Sequence, residues 1–185
     1  MIVRLFIGLP LPSEAHEVAA GELRRLRQRG WPVRWVGDEG LHLTLKFFGE
    51  VTSDRMDTIA EMLSFAGQGM RPMPMTLGGA GVFPGPERPR VIKLDVEADS
   101  ELELLQDRIE RGGEQIGFPP EGRPFHPHIT LGRVREGHRL PPDWSQVLQT
   151  VGGGTTFLAD RVVLYESRLS PSGPTYTVRQ ELRLE

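Results

Sequence analysis

The 185-residue chain contains no cysteine, which removes disulfides, Cys-ligated zinc, iron–sulfur clusters and a thiolate nucleophile together. It has no apolar run near the ~18 residues that suggest a membrane span. Its N-terminal MIVRLFIGLPLP is broken by Gly8, Pro10 and Pro12 before any signal-peptide cleavage pattern. A soluble, cytoplasmic chain is expected. Neither charge dominates, since 22 Lys+Arg against 25 Asp+Glu leave a formal −3. Gripping long nucleic acid through a broad basic face relies on many phosphate contacts, so that mode is disfavoured, whereas one phosphate held locally is not. No HExxH sequence occurs, and in GGAGVFPG the residue Pro84 stands where a dinucleotide loop requires its third glycine.

What is present is one core's worth of chain with 38% hydrophobic and 25% charged residues, so one domain built from two lobes is expected rather than two independent domains. The 22 Gly and 16 Pro sit between periodic apolar segments and mark short turns. Val3 to Leu9 reads as a buried strand. Ser13 then opens a helix with Ala15, Val18, Ala19, Leu23 and Leu26 as its apolar stripe. Leu41 to Phe48 reads as a strand, and Thr52 or Ser53 caps a helix carrying Met56, Ile59, Ala60, Leu63 and Ala66.

Met73 to Leu77 and Val91 to Val96 read as strands joined by the loop GGAGVFPGPERP. Asp99 or Ser100 opens a third helix with Leu102, Leu105 and Ile109 inward, ended or frayed by Gly112 and Gly113. His128 to Val134 is a further strand, and Arg161–Leu169 with Thr175–Leu184 form a hairpin around SPSGP. Trp144 to Leu148 is a short helix. This mixed order predicts an α+β or split βαβ arrangement with mainly antiparallel sheets.

One pattern occurs twice: His-Leu-Thr-Leu at 42–45 and His-Ile-Thr-Leu at 128–131, 86 residues apart and one in each half of the chain. In a strand the His and Thr of each copy share one face while the apolar pair takes the other. The apolar pair belongs in a core. A buried imidazole beside a buried hydroxyl needs partners for both, and repeating that cost in both halves is hard to explain by packing. If a pseudo-twofold relates the halves, His42, Thr44, His128 and Thr130 line one cleft. Two imidazoles with ordinary pKa near 6.5 can act as a neutral proton acceptor and a charged donor. Two hydroxyls can donate to phosphate oxygens as charge builds up.

With these motifs in RLFIGLPLP, LHLTLKFFGEV, PRVIKLDV, FHPHITLGR and VVLYESRLSPSGPTY, the sequence resembles the 2H phosphoesterases over essentially its full length, and within them the RNA 2′,3′-cyclic phosphodiesterases once called 2′–5′ RNA ligases. The resemblance implies a bilobal pseudo-twofold fold, with two mainly antiparallel sheets lining a central cleft and helices outside, and residues 1–185 as one domain. It implies no metal and no nucleotide cofactor. Its reaction is metal-independent opening of a terminal 2′,3′-cyclic phosphate by water to a 2′-phosphomonoester. His42 is then the general acid and His128 the general base, the reverse assignment remaining open on the residues alone. The same pair run backwards would make a 2′–5′ linkage without ATP.

Arg133 matches an arginine that in relatives helps hold the phosphate, but strict alternation puts it on the wrong face unless a bulge intervenes near Gly132. Lys46 has the parity of His42 and Thr44 and would face the cleft mouth, an exposed lysine being the commoner reading. Relatives often carry an aromatic residue where this chain has Lys93. The expected partners are RNA 3′ ends or small cyclic nucleotides, bound by a monomer.

Plainer readings stand beside these. Threonine suits strands without any function, and most histidines do no chemistry. His126 and His128 resemble a metal pair only superficially, with Pro127 between them and no carboxylate at ligand spacing. His16 and His138 read as surface residues, GELRRLRQRG as the solvated face of a helix, and the GGG at 152–154 as a loop. The alternatives to the enzyme are a non-catalytic binder of RNA ends or nucleotides, and the same chemistry on another cyclic or 2′–5′ nucleotide.

Overall fold

The computed structural model describes residues 1–170 and 173–185; the middle of the expected SPSGP turn lies outside them. The described chain runs β1 (Ile2–Pro10), α1 (Ser13–Arg27), β2 (Val33–Trp35), β3 (His42–Thr52), α2 (Met56–Ala66), β4 (Met73–Phe83), β5 (Val91–Ala98), α3 (Ser100–Gln115), β6 (His128–Val134), α4 (Trp144–Gln149), β7 (Thr156–Ala159), β8 (Arg161–Ser170) and β9 (Gly173–Arg183). All paired strands among these are antiparallel.

The strand order is β7-β4-β5-β6-β3-β1-β8-β9, with β2 also on β6. Each half of this order has four strands, and each half's innermost strand begins with a motif histidine. The two sheets expected from the sequence are these halves, joined into one curled sheet where Leu43 pairs with Ile129. Beyond that point β2 takes over as the partner of β6, from Gly132 to Val134. The helices α2 and α3 pack on each other, with α3 also against β3, while α4 packs on β4 and α1 on β7. Leu43, Leu45, Ile129 and Leu131, the apolar members of both motifs, are all buried in a core that includes residues of both halves. Each such side chain contributes about 1.5–3 kcal/mol by leaving water.

Three departures from the sequence reading have local causes. Val18 is exposed rather than part of the α1 stripe, whose buried residues are Ala15, Ala19, Ala20, Leu23 and Leu26. Gly112 and Gly113 do not end α3, which continues to Gln115. They are where that helix approaches its neighbours, since a Cβ on Gly113 would lie 2.6 Å from Lys46 Cε and one on Gly112 2.7 Å from Met62 Cγ. The expected GGAGVF loop is instead the second half of β4, which shifts register between Leu77 and Ala80. A Cβ on Gly78 would meet the Asp95 backbone at 3.1 Å, so a side chain there would push β4 off β5.

The basic run of α1 is not a free solvated face. Arg24 and Arg27 both pair with Asp38, at 2.8 and 2.9 Å, and His16 Nε2 bonds the Asp38 carbonyl at 2.8 Å. Together they pin the turn at Asp38–Gly40, immediately ahead of the first motif.

Candidate active site

Both motifs share the burial sequence of half-buried His, buried aliphatic, half-buried Thr, two buried residues and then an exposed one. The cause is a bulge at the same place in each. On β3, Gly8 pairs with Thr44 but Ile7 with Lys46, leaving Leu45 as the extra residue. On β6, Lys93 pairs with Thr130 but Ile92 with Gly132, leaving Leu131 extra. A bulge reverses the facing of everything after it.

Arg133 is thereby turned onto the cleft face with His128 and Thr130, resolving its parity conflict. The same reversal corrects the commoner reading of Lys46 as an exposed lysine, although the residue does border the cleft. Its side chain is buried, with Nζ donating to Glu110 Oε2 at 2.6 Å and to the Pro119 carbonyl at 3.1 Å. Phe47, at the position equivalent to Arg133, takes the exposed place instead.

Because β3 and β6 run antiparallel through Leu43 and Ile129, continuing that register by one residue sets His42 beside Thr130 and Thr44 beside His128. Each imidazole is oriented from behind by a carbonyl two residues earlier. His42 Nδ1 donates to Gly40 O at 2.8 Å and His128 Nδ1 to His126 O at 2.7 Å. A donating Nδ1 leaves Nε2 as the basic nitrogen of the neutral ring. His138 makes the same bond to Glu136 O in an exposed loop, so this contact alone marks nothing; what matters is that two such rings share one cleft. His42 Nε2 lies 3.0 Å from Thr44 Oγ1, whose hydroxyl donates to it while the ring is neutral.

The cleft has a volume of about 1110 Å³ and includes Thr44, His128, Thr130 and Arg133 among its lining residues; His42 adjoins it through Thr44. Arg133 has no ion-pair partner among the described residues.

The surroundings of the two rings differ. Phe6 stacks on His42 at 4.6 Å between centroids, Tyr176 meets it edge-on at 5.2 Å, and Tyr165 lies at 5.9 Å. Burial pushes His42 from its usual 6.5 down to about 4, opposed by the Gly40 carbonyl and reinforced by the nearby His128. Burial, with the charge of Glu181, pushes Tyr165 up to about 12, and burial also raises Tyr176. Neither phenol therefore supplies His42 with a counter-charge at neutral pH.

Around His128 the groups are charged. Asp95 and Lys93 sit on β5 directly opposite His128 and Thr130, and they form an ion pair with each other. Lys93 Nζ also lies 4.6 Å over the Phe83 ring, whose edge packs on His128 at 4.9 Å. The His128 pKa is lowered, first by burial, then by Lys93 and Arg133, with the His126 carbonyl and Asp95 pulling the other way.

The sequence reading missed Phe6, Phe83, Tyr165, Tyr176 and the Lys93–Asp95 pair as parts of the site. One signal was available: the chain has only two tyrosines, and both pack on His42.

A cleft between two pseudo-symmetric sheet halves, with one His-x-Thr on the inner strand of each, defines a two-histidine phosphoesterase. The sequence profile of the 2'-5' RNA ligase superfamily matches residues 12–182, and the chain belongs to that family. A Thermotoga maritima RNA 2',3'-cyclic phosphodiesterase is 34% identical over 99% of this chain and 96% of its own. Its counterpart from Methanothermobacter thermautotrophicus is 34% identical over the whole of both chains. Among solved structures, a Thermus thermophilus protein superposes with a TM-score of 0.80 at 28% identity, covering 98% of this chain and 97% of the other. E. coli LigT complexed with 3'-AMP shares the fold, with a TM-score of 0.76 at 24% identity over 100% and 99% of the chains.

Proposed function

We propose that this protein hydrolyses RNA terminal 2′,3′-cyclic phosphate to a 2′-phosphomonoester, with His128 as general base, His42 as general acid, and Thr44, Thr130 and Arg133 holding the phosphate. The observation that carries the reading is the pairing of two imidazoles, each with Nδ1 tied to a backbone carbonyl and each beside a threonine, across one antiparallel junction. The full-length relatives named for this activity support the substrate.

In this mechanism His128 Nε2 takes a proton from water as its oxygen attacks phosphorus. The bond from phosphorus to O3′ breaks, His42 Nε2–H delivers its proton to that oxygen, and the 2′-phosphate remains. The hydroxyls of Thr44 and Thr130 and the guanidinium of Arg133 donate to the non-bridging oxygens, where negative charge grows in the transition state.

The order of roles is the one the family resemblance implies. In the free protein burial holds the His42 pKa down at about 4, so this ring keeps its proton only beside a bound anion. Lys93 and Arg133 oppose a cation at His128, which keeps that ring free to accept a proton. The substrate phosphate supplies the negative charge that His42 lacks in the free protein. We read the chain as a single domain of two lobes, working as a cytoplasmic monomer.

Phosphorus NMR of a short RNA ending in a 2′,3′-cyclic phosphate, in excess EDTA, tests the reading. One 2′-phosphate product, absent with the His42→Ala/His128→Ala protein, is expected. Turnover that appears only when metal is restored overturns the two-histidine mechanism, and tight binding without turnover turns the protein into a binder of RNA ends.

A further inference from the structure

A second concavity opens beside the catalytic cleft, and Arg90 lines both. It has a volume of about 420 Å³ and is lined by Pro86–Arg90 and by His138, Arg139, Leu140 and Trp144. That volume is within the ~300–1,000 Å³ of ordinary ligand pockets. Its lining carries the three guanidinium groups of Arg88, Arg90 and Arg139 and a single carboxylate, that of Glu87.

The charge is not used internally. Arg24, Arg25, Arg27, Arg161, Arg168 and Arg179 all pair with carboxylates elsewhere in the fold. Arg88, Arg90 and Arg139 form no ion pair among the described residues, like Arg133 in the cleft. In a chain of net charge −3 this leaves a local positive strip on an otherwise acidic molecule.

Backbone contacts place the strip in line with the reacting centre. Arg90 N–H donates to Phe83 O at 2.7 Å and Val134 N–H to Arg90 O at 2.9 Å, and the next residue, Val91, pairs directly with Arg133. The backbones of Arg90 and Arg133 are thus on neighbouring strands roughly 5 Å apart. Trp144, half-buried at the start of α4, adds an aromatic surface suited to a base, since stacking is how proteins hold single-stranded RNA without reading its sequence.

We propose that this groove is a subsite for the RNA strand upstream of the reacting end, with Arg88, Arg90 and Arg139 on the internucleotide phosphates and Trp144 against a base. The inference rests on the cleft being the site of cyclic-phosphate hydrolysis, and it specifies the substrate as an oligonucleotide end rather than a free cyclic mononucleotide. Phosphates of a strand recur at spacings that neighbouring arginines can follow. A mononucleotide fills the cleft and leaves the groove empty.

The test uses the whole protein, the exposed double variant Arg88→Ala/Arg139→Ala, the matching Arg88→Lys/Arg139→Lys variant, and two substrates: 2′,3′-cyclic AMP and a fluorescent RNA tetramer ending in a 2′,3′-cyclic phosphate. With the alanine variant, kcat/KM on the tetramer is expected to fall about tenfold or more through KM, while kcat/KM on the mononucleotide stays unchanged. Tetramer binding by anisotropy, measured on the His42→Ala/His128→Ala background so that nothing turns over, is expected to weaken equally. Its salt slope should decrease by about 0.7 for each phosphate that the variant no longer neutralises, and the lysine variant should recover most of that slope.

Equal losses on both substrates, or unchanged tetramer binding, overturn the groove. Turnover with unchanged binding sinks the groove and spares the catalytic reading; arginine-dependent binding with no turnover by the unmutated protein does the reverse.

Discussion

His42 and His128 begin motifs that match in residue type, burial and bulge, yet one ring is enclosed by Phe6, Tyr165 and Tyr176 and the other by Lys93, Asp95, Arg133 and Phe83. The repeat supplies two equivalent imidazoles, and the flanking strands make them unequal. β1, β8 and β9 bring aromatic rings to the first, while β5 brings an ion pair to the second. Two identical neighbouring histidines could share one proton in either order, because their repulsion already makes the pair titrate in two steps, and the inequality biases which ring holds it.

The largest effect that could break the comparison is loss of either ring. His42→Ala or His128→Ala should each lower kcat by about 10²–10⁴-fold, and the double variant should be little worse than the poorer single one, as for groups that act as a unit. Steady-state rates on a cyclic-phosphate RNA check this. A single variant with near-normal kcat would remove that ring from the chemistry.

Next in size is the fit around the first ring. A Cβ on Gly8 would lie 2.8 Å from the Leu43 carbonyl oxygen and 3.2 Å from His42 Cδ2, so Gly8→Ala should cost about 1–3 kcal/mol of stability and lower kcat more than KM changes. A glycine within the second motif's own strand serves as the control, since a Cβ on Gly132 meets Val33 Cγ1 at 2.6 Å and Trp35 Cε3 at 2.8 Å rather than either motif histidine. Gly132→Ala should therefore destabilise while leaving kcat nearer normal, as denaturant midpoints and kinetics on the same samples would show.

The buried His42 ring also links folding to pH. Its pKa is lower in the folded protein, about 4 against 6.5, so the unfolded chain binds the proton first as pH falls. The stability is fully present above about pH 6.5 and is lost between there and pH 4, by on the order of 2–3 kcal/mol. Urea unfolding at pH 7 and pH 4.5 should show this loss reduced in His42→Ala relative to the parent. The same depression places the kcat/KM optimum of the free enzyme below pH 6.5, whereas the bound phosphate anion raises both imidazoles and shifts the kcat optimum upward. A monotonic pH profile would contradict the acid–base pair.

The smallest effect sharpens the comparison most. Lys93→Met removes a charge that lowers the His128 pKa, and Asp95→Asn removes one that raises it. The pH–rate limb belonging to the base should move up in the first variant and down in the second. No such opposite displacement should follow from Tyr165→Phe beside His42, which alters no charge there.

Much of the site was legible in the chain itself. His42, Thr44, His128 and Thr130 stand out by repetition, since a costly polar pair placed twice at the same spacing within apolar strands has few packing explanations. Lys46 and Arg133 were harder, because period-two alternation carries no sign of a bulge, and one bulge exchanges the two faces for every residue after it. Leu45 and Leu131 look like ordinary strand residues; only the pairing of Thr44 with Gly8 and of Thr130 with Lys93 makes them the extra ones. GGAGVF looked like a loop because glycine is rare within strands, whereas here it allows β4 to approach β5 closely.

By itself the sequence determined most of the helices and strands, the doubling of the motif and the chemical groups offered to a substrate, because local periodicity and residue chemistry are properties of neighbours along the chain. Only the tertiary structure decided which way those groups face after each bulge, which rings surround His42 and which charges surround His128. Those are contacts between strands far apart in sequence, and the electrostatic inequality of the two histidines exists nowhere else.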